Sequence, residues 1–168
     1  WVLKDESNVE HLLARGQLEQ LAVEQQDRVI RLVLVYGSES LFGNAYNRIA
    51  GTRTGDELSA LHRRLLGLIT SRMPVYQRDE RLARVLQLGA DPDSGENRKG
   101  ESVVPLAGVL NDYVRNREAC VFILLKAGAD PLKRVELKDG TTTTPLELAR
   151  QKGYTDIVAM MEEHISEK

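Results

Sequence analysis

The sequence holds a single cysteine, Cys120, so it can form no intrachain disulfide and no multi-cysteine zinc site. Its three histidines, His11, His62 and His164, are scattered and show no metal-ligand spacing. Aromatic residues make up only 5% of the chain, and the one tryptophan is residue 1, which excludes a stacking platform for bases or sugars. An excess of positive charge is also missing. Against 25 Asp+Glu stand 23 Lys+Arg, a net charge of −2, and nucleic-acid binding leans on surplus cations. No apolar run reaches the roughly 20 residues of a membrane span. The longest apolar-rich stretch, residues 29–36, is interrupted by Arg31. No nucleic acid, no membrane insertion, no metal and no cofactor are therefore expected. What remains is the composition of an ordinary globular chain, 42% hydrophobic and 29% charged, of a length that suits one domain. It fits the cytoplasm, the periplasm or secretion equally. The start at Trp1 instead of Met leaves both a removed leader and an origin as a fragment open.

The chain repeats itself. Leu86-Gln87-Leu88-Gly89-Ala90-Asp91-Pro92 returns as Leu125-Lys126-Ala127-Gly128-Ala129-Asp130-Pro131, with the glycines 39 positions apart. Val104-Pro105-Leu106 returns as Thr144-Pro145-Leu146, with the prolines 40 apart. Each unit reads alike. Proline suits a first helical position, where its missing N–H costs nothing, and Ser102 or Thr144 offers an N-cap hydroxyl. Short helices are predicted over residues 105–113 and 145–152, the second stopped by Gly153 in the left-handed region. A second helix follows each, ended by Gly89 or Gly128, and Asp-Pro then throws the chain into an extended turn. A helix–turn–helix of this size cannot bury its apolar face alone but can do so against a neighbour.

These residues resemble the ankyrin repeat family. Thr144-Pro145-Leu146-Glu147-Leu148-Ala149 with Gly153, Ile157 and Val158 carries the last unit. Val104-Pro105-Leu106-Ala107 with Leu124-Leu125 and Gly128-Ala129-Asp130-Pro131 carries the middle one. Leu61-His62 with Val85-Leu86 and Gly89-Ala90-Asp91-Pro92 carries the first clear one. The resemblance implies an all-α solenoid of stacked helix–turn–helix units with extended hairpin-like loops. On this reading residues 1–168 form one ankyrin-repeat domain. Residues 1–58 are a degenerate N-terminal repeat or cap, 59–101 and 102–143 are repeats, and 144–168 is a C-terminal capping repeat. The spacing of 39 to 40 exceeds the family's period of about 33. The excess falls in two lengthened loops, residues 93–102 and 132–143, the latter with Asp139-Gly140 at a turn. Further extra residues lie between the helices of the first unit, around residues 71–74, where Pro74 should break the helix. In the N-terminal third, residues 8–21 have helical spacing. So do residues 25–36, whose β-branched density also permits a strand. Residues 38–43 are predicted as loop, 44–50 as a short helix and 51–56 as a polar loop.

No catalytic constellation emerges. His62 sits where the family pattern often places a histidine, and it reads as a backbone-bonded structural residue. His11 and His164 read as solvent-exposed. Cys120, among Ala119, Val121 and Phe122, reads as a buried thiol. Gly51-Thr52-Arg53-Thr54-Gly55 lacks the lysine of a phosphate loop and reads as plain loop. Asp91 and Asp130 read as turn caps. Arg63, Arg64, Arg72, Arg78, Arg81 and Arg84 form a basic cluster. It reads as a solvated helix face or as a contact for an acidic partner. Thr141 to Thr144 read as an extended arm ending in an N-cap.

The resemblance implies a non-enzymatic protein-binding module that grips another protein through loop tips and first helices. Carried onto this chain, the tips are Asn97, Arg98 and Lys99, then Glu136, Lys138 and Asp139. The helix-face positions are Asn111, Asp112 and Arg115, then Gln151, Lys152 and Tyr154. A narrower expectation is a small bacterial inhibitor or immunity-type protein that binds an enzyme. The alternatives are a targeting or scaffold fragment of a larger effector, and an enzyme whose catalytic part lies in the N-terminal third. By itself the chain is expected to be monomeric.

Overall fold

The computed structural model describes residues 6–111 and 113–168, and of Glu6 the backbone alone. Helix accounts for 58% and strand for 5%, an all-α class. The chain divides into two compact units. The first holds residues up to 61 together with 74–76, and the second holds 62–73 and 77–168.

In the first unit α1 (Glu6–Ala14), α2 (Val23–Tyr36) and α3 (Glu39–Ala50) pack on one another. The helical reading of residues 25–36 holds over the strand alternative. Val29, Ile30, Val33 and Leu34 recur at turn spacing and are all buried. The predicted helix over 8–21 instead stops at Ala14, because Gly16 turns left-handed at φ 61°. Leu18 beyond it is fully buried, and its carbonyl accepts from Gln26 Nε2 at 3.2 Å. The predicted loop over 38–43 is the start of α3. Ser38 Oγ accepts the Leu41 N–H at 3.2 Å, and Leu41, Phe42, Ala45, Tyr46 and Ile49 form its buried stripe. That turn-spaced stripe outweighs the weak helix propensity of Gly43 and Asn44. The loop at 51–54 carries one inward side chain. Arg53 Nη1 meets Asp27 Oδ1 at 2.6 Å, both side chains being 2% exposed, and its Nη2 donates to Gln26 Oε1 at 3.0 Å.

Helix α4 (Gly55–Ile69) begins in the first unit and ends in the second. It opens on a capping box: Thr54 Oγ1 accepts the Glu57 N–H, and Glu57 Oε2 accepts the Thr54 N–H at 2.8 Å. It runs unbroken through residues 58 and 59, where the repeat spacing sets a boundary.

The second unit continues with α5 (Arg78–Gln87), strands β1 (Gly95–Glu96) and β2 (Ser102–Val103), α6 (Pro105–Val109) and α7 (Arg117–Lys126). Strands β3 (Val135–Glu136) and β4 (Thr142–Thr143), α8 (Pro145–Gln151) and α9 (Thr155–Ser166) complete it. Its second helices form a row, α7 packing on both α5 and α9, while α6 packs on α7 and α8, and α8 on α9. Both lengthened loops are antiparallel hairpins, with Gly95 opposite Val103 and Val135 opposite Thr143. Pro105 and Pro145 open their helices as expected. Thr144 supplies its cap, accepting the Glu147 N–H at 3.2 Å. Ser102 does not, because Val104 takes the N-cap place. Helix α6 ends at Val109 instead of 113. Gly108 is a poor helix former, and the chain tightens into three-residue turns, Leu110 N–H to Ala107 and Asn111 N–H to Gly108.

One offset of 39 superposes two turns of this architecture. Val75 and Val114 are both buried, and Gln77 and Asn116 are both left-handed, at φ 46° and 53°. Arg78 and Arg117 both reach back to carbonyls of the preceding turn. Gly89 and Gly128 both end their helices, at φ 95° and 97°. The same offset sets Leu66, not Ala60, opposite Pro105. Leu61-His62 therefore lies upstream of the helix-start position the motif match gives it. The local motif is less informative here than the register of the buried residues.

Candidate functional site

The two hairpin tips are built alike. In the first, the Asn97 N–H donates to Glu101 O at 2.9 Å and the Gly100 N–H to Asn97 O at 3.0 Å. In the second, the Leu137 N–H donates to Thr141 O at 2.8 Å and the Gly140 N–H to Leu137 O at 2.9 Å. Each turn closes on a glycine at φ 79° or 81°, where a side chain would strain the backbone. Arg98 and Lys99 stand exposed on the first tip, with Glu136, Lys138 and Asp139 exposed on the second hairpin. Arg98 and Lys138 occupy the same place in the two turns. Arg98 Nη2 reaches Met73 Sδ at 2.8 Å, so the first tip lies over the turn after α4.

Two of the named tip residues are committed to building the turns. Asn97 Oδ1 accepts the N–H groups of Lys99 and Glu101 at 2.9 and 3.0 Å, and its Nδ2 donates to Glu101 Oε2 at 2.6 Å. Asp139 Oδ1 accepts from the Thr141 hydroxyl at 2.6 Å and the Thr141 N–H at 2.9 Å. These bonds hold the Asp139 carboxyl below its ordinary pKa.

The residues expected on first-helix faces form a second set, and among the described ones only Gln151 lies in a helix. Asn111 and Arg115 are in the turn between α6 and α7, because α6 is short; Asp112 lies outside the described residues. Asn111 is occupied. Its Oδ1 accepts the Tyr113 N–H and its carbonyl accepts from Arg117 Nη2 at 3.0 Å. Lys152 and Tyr154 sit in the α8–α9 turn. The Arg117 guanidinium lies 4.3 Å from the Tyr154 ring centroid and Lys152 Nζ lies 6.0 Å from it.

The basic cluster divides. Arg78 and Arg81 are buried, at 6% and 2% exposure, contrary to a solvated face. Arg78 donates to the carbonyls of Ile69, Ser71 and Met73, and burial lowers its pKa. Arg64 Nε pairs with Glu96 at 3.1 Å, and the Arg72 guanidinium lies 4.9 Å from the Tyr113 ring centroid. Nothing in the local sequence distinguishes Arg78 from Arg84, since what selects it is a ring of carbonyls from the last residue of α4 and the turn after it.

His62 is buried, and desolvation lowers its pKa. His11 is exposed, whereas His164 is half-buried against the expectation of solvent. Burial drives the Cys120 thiol up to about 11, so it stays protonated near neutrality. Asp91 and Asp130 cap turns as expected, accepting the Asp93 and Leu132 N–H groups at 3.0 and 2.9 Å. Asp93, which carries no sequence signal, accepts the Asp130 N–H at 2.9 Å and joins one loop to the next. Among the described residues no three His, Cys, Asp or Glu side chains converge as a metal site, and no helix is long and apolar enough to cross a membrane. No family model, curated protein or solved structure matches this chain.

Proposed function

We propose that this chain is a non-enzymatic module of ankyrin-repeat type that binds another protein through its hairpin tips. One observation carries the reading: two hairpins of the same register and turn construction hold cations at equivalent places, Arg98 and Lys138, on a packed double row of helices. Such tips are ordered before binding, so little conformational entropy is lost on contact. The effective contacts on this reading are Arg98, Lys99, Glu136 and Lys138, with Arg115, Gln151 and Lys152 beside the helix turns. Asn97, Asn111 and Asp139 serve by fixing backbone. Where the partner is an enzyme, the module acts as its inhibitor.

The test is affinity capture from the source lysate with the whole chain, beside an Arg98→Glu/Lys99→Glu variant. Because both side chains are exposed, the thermal midpoint should move by less than about 2 °C. Capture of the partner should fall about tenfold or more. Equal capture by both proteins would remove the first tip from the interface.

A further inference from the structure

A second surface of the second unit lies on its row of second helices. Phe122 of α7 is 51% exposed, while the chain's other phenylalanine, Phe42, is fully buried. Beside it a groove of about 420 Å³ runs between α5 and α7, lined by Ala83, Leu86, Ile123 and Ala127. The outward stripe of α7 reads Glu118, Phe122, Lys126, all exposed and spaced by four. Each charge thus lies one helical turn, about 6 Å along the axis, from the ring. Eight positions separate the two charges, too far to pair within one helix. Glu118 has no ion pair among the described residues, and Lys126 Nζ lies 5.3 Å from the Phe122 ring centroid.

A stripe of negative, apolar and positive residues at equal spacing is complementary to its own reverse. We propose that two copies of this chain associate through α7. The two helices run antiparallel about a two-fold axis at Phe122, so that Glu118 of each copy meets Lys126 of the other. The symmetry makes one patch serve on both sides. The two Phe122 rings meet at the axis beside the groove that each copy offers, and two ion pairs close the ends. Like signs at 118 and 126, or parallel helices, would set like charges together. The charge complementarity therefore favours a second copy as the occupant and sets its direction as antiparallel. No tip residue belongs to the stripe or lines the groove, so the proposal does not rest on the role of the tips.

Sedimentation velocity of the full chain over a concentration series tests it. The wild type should show a reversible monomer–dimer equilibrium. Lys126→Glu and Glu118→Lys, made singly, each set like charges together twice across the axis. Each should weaken the dimer by about tenfold or more. Mixed in equal amounts, the two variants should dimerise with one another, because the all-negative stripe of one meets the all-positive stripe of the other. Thermal midpoints recorded alongside confirm that both variants are folded. Phe122→Ser, at a half-exposed position, should weaken the dimer without loss of fold. A wild type that stays monomeric at every concentration overturns the proposal and leaves the stripe to a different partner. So does a dimer that neither charge variant weakens, or a mixture of folded variants that fails to pair.

Discussion

Replacing Arg78 by Met tests whether this arginine belongs to the core or to a binding face. The substitution keeps much of the side-chain volume and removes every donor. Arg78 donates to three carbonyls, those of Ile69, Ser71 and Met73, at the frayed end of α4 and the turn after it. Hydrogen bonds to a charged group contribute about 1.5–3 kcal/mol each, and a buried polar group left without a partner costs about 1–3 kcal/mol. The three bonds share one side chain and are not additive, so the expected loss is about 3–5 kcal/mol. Against a total of about 5–15 kcal/mol for a domain, that is a large fraction. For a chain of this length it corresponds to a fall of about 6–20 °C in Tm. Arg78→Lys keeps the charge but replaces the planar fork with a point donor, and should fall between wild type and Arg78→Met. The assay is urea unfolding followed by far-UV circular dichroism, with Arg84→Met as a control on the half-exposed part of the same helix. If Arg78→Met costs less than about 1 kcal/mol, or less than Arg78→Lys, the carbonyl ring is not what holds this turn. A binding-face arginine would give the reverse pattern, an unchanged midpoint and a weakened partner complex.

Gln77 holds a left-handed conformation at φ 46° that costs an L-residue about 1–2 kcal/mol, so Gln77→Gly should raise stability by about 0.5–1 kcal/mol after the entropy of glycine is offset. Asn116→Gly, at φ 53°, should gain less, because asparagine tolerates that region; thermal melts compare the two directly. Gly67→Ala should destabilise by about 1–3 kcal/mol despite the better helix propensity of alanine, since its Cβ would lie 1.9 Å from the Glu96 carbonyl oxygen. An increase in urea midpoint would show that the hairpin yields at this point. His62 has a folded pKa below its ordinary 6.5, so the unfolded state binds its proton more readily. Its stabilising contribution is therefore present above about pH 6.5 and is lost as pH falls through the unfolded value toward the folded one. His62→Gln should flatten the dependence of unfolding free energy on pH as pH falls below about 6.5, and an unchanged slope there would mean that His62 titrates alike in both states.

Signals that act over a few residues were legible in the sequence. Glycine at 89, 128 and 153 ends its helix by a positive φ that other residues resist, and proline at 105 and 145 opens one. Thr144 caps through its own hydroxyl three residues on. The paired hairpins followed from Asp139-Gly140 and from the excess length of both loops. What stayed illegible depends on how the chain turns back on itself, near or far. Arg53 and Arg78 look like surface residues until Asp27 and the end of α4 are brought to them. The start of α3 was hidden by the low propensity of Gly43 and Asn44, although its buried stripe was present in the spacing. Of the candidate site, the exposed charges were readable by type. The division between residues that project and residues that build the turn was not, because it rests on which backbone amides lie within reach of Asn97, Asn111 and Asp139.

The flanking of α7 by α5 on one side and α9 on the other sets an order of opening. In a nearest-neighbour chain of structural units, an inner member loses two interfaces when it opens and a terminal one loses a single interface. The α8–α9 pair can therefore detach while α7 remains held, and its amides should exchange with solvent deuterium through a smaller opening. The amides of Val121, Leu124 and Leu125 report only on the opening of the whole unit. A ligand at the β3–β4 tip would slow exchange in α8 and α9 first. The C-terminal helix pair is thus the natural sensor of occupancy, and the inward amides of the middle helix are the internal standard against which it can be read.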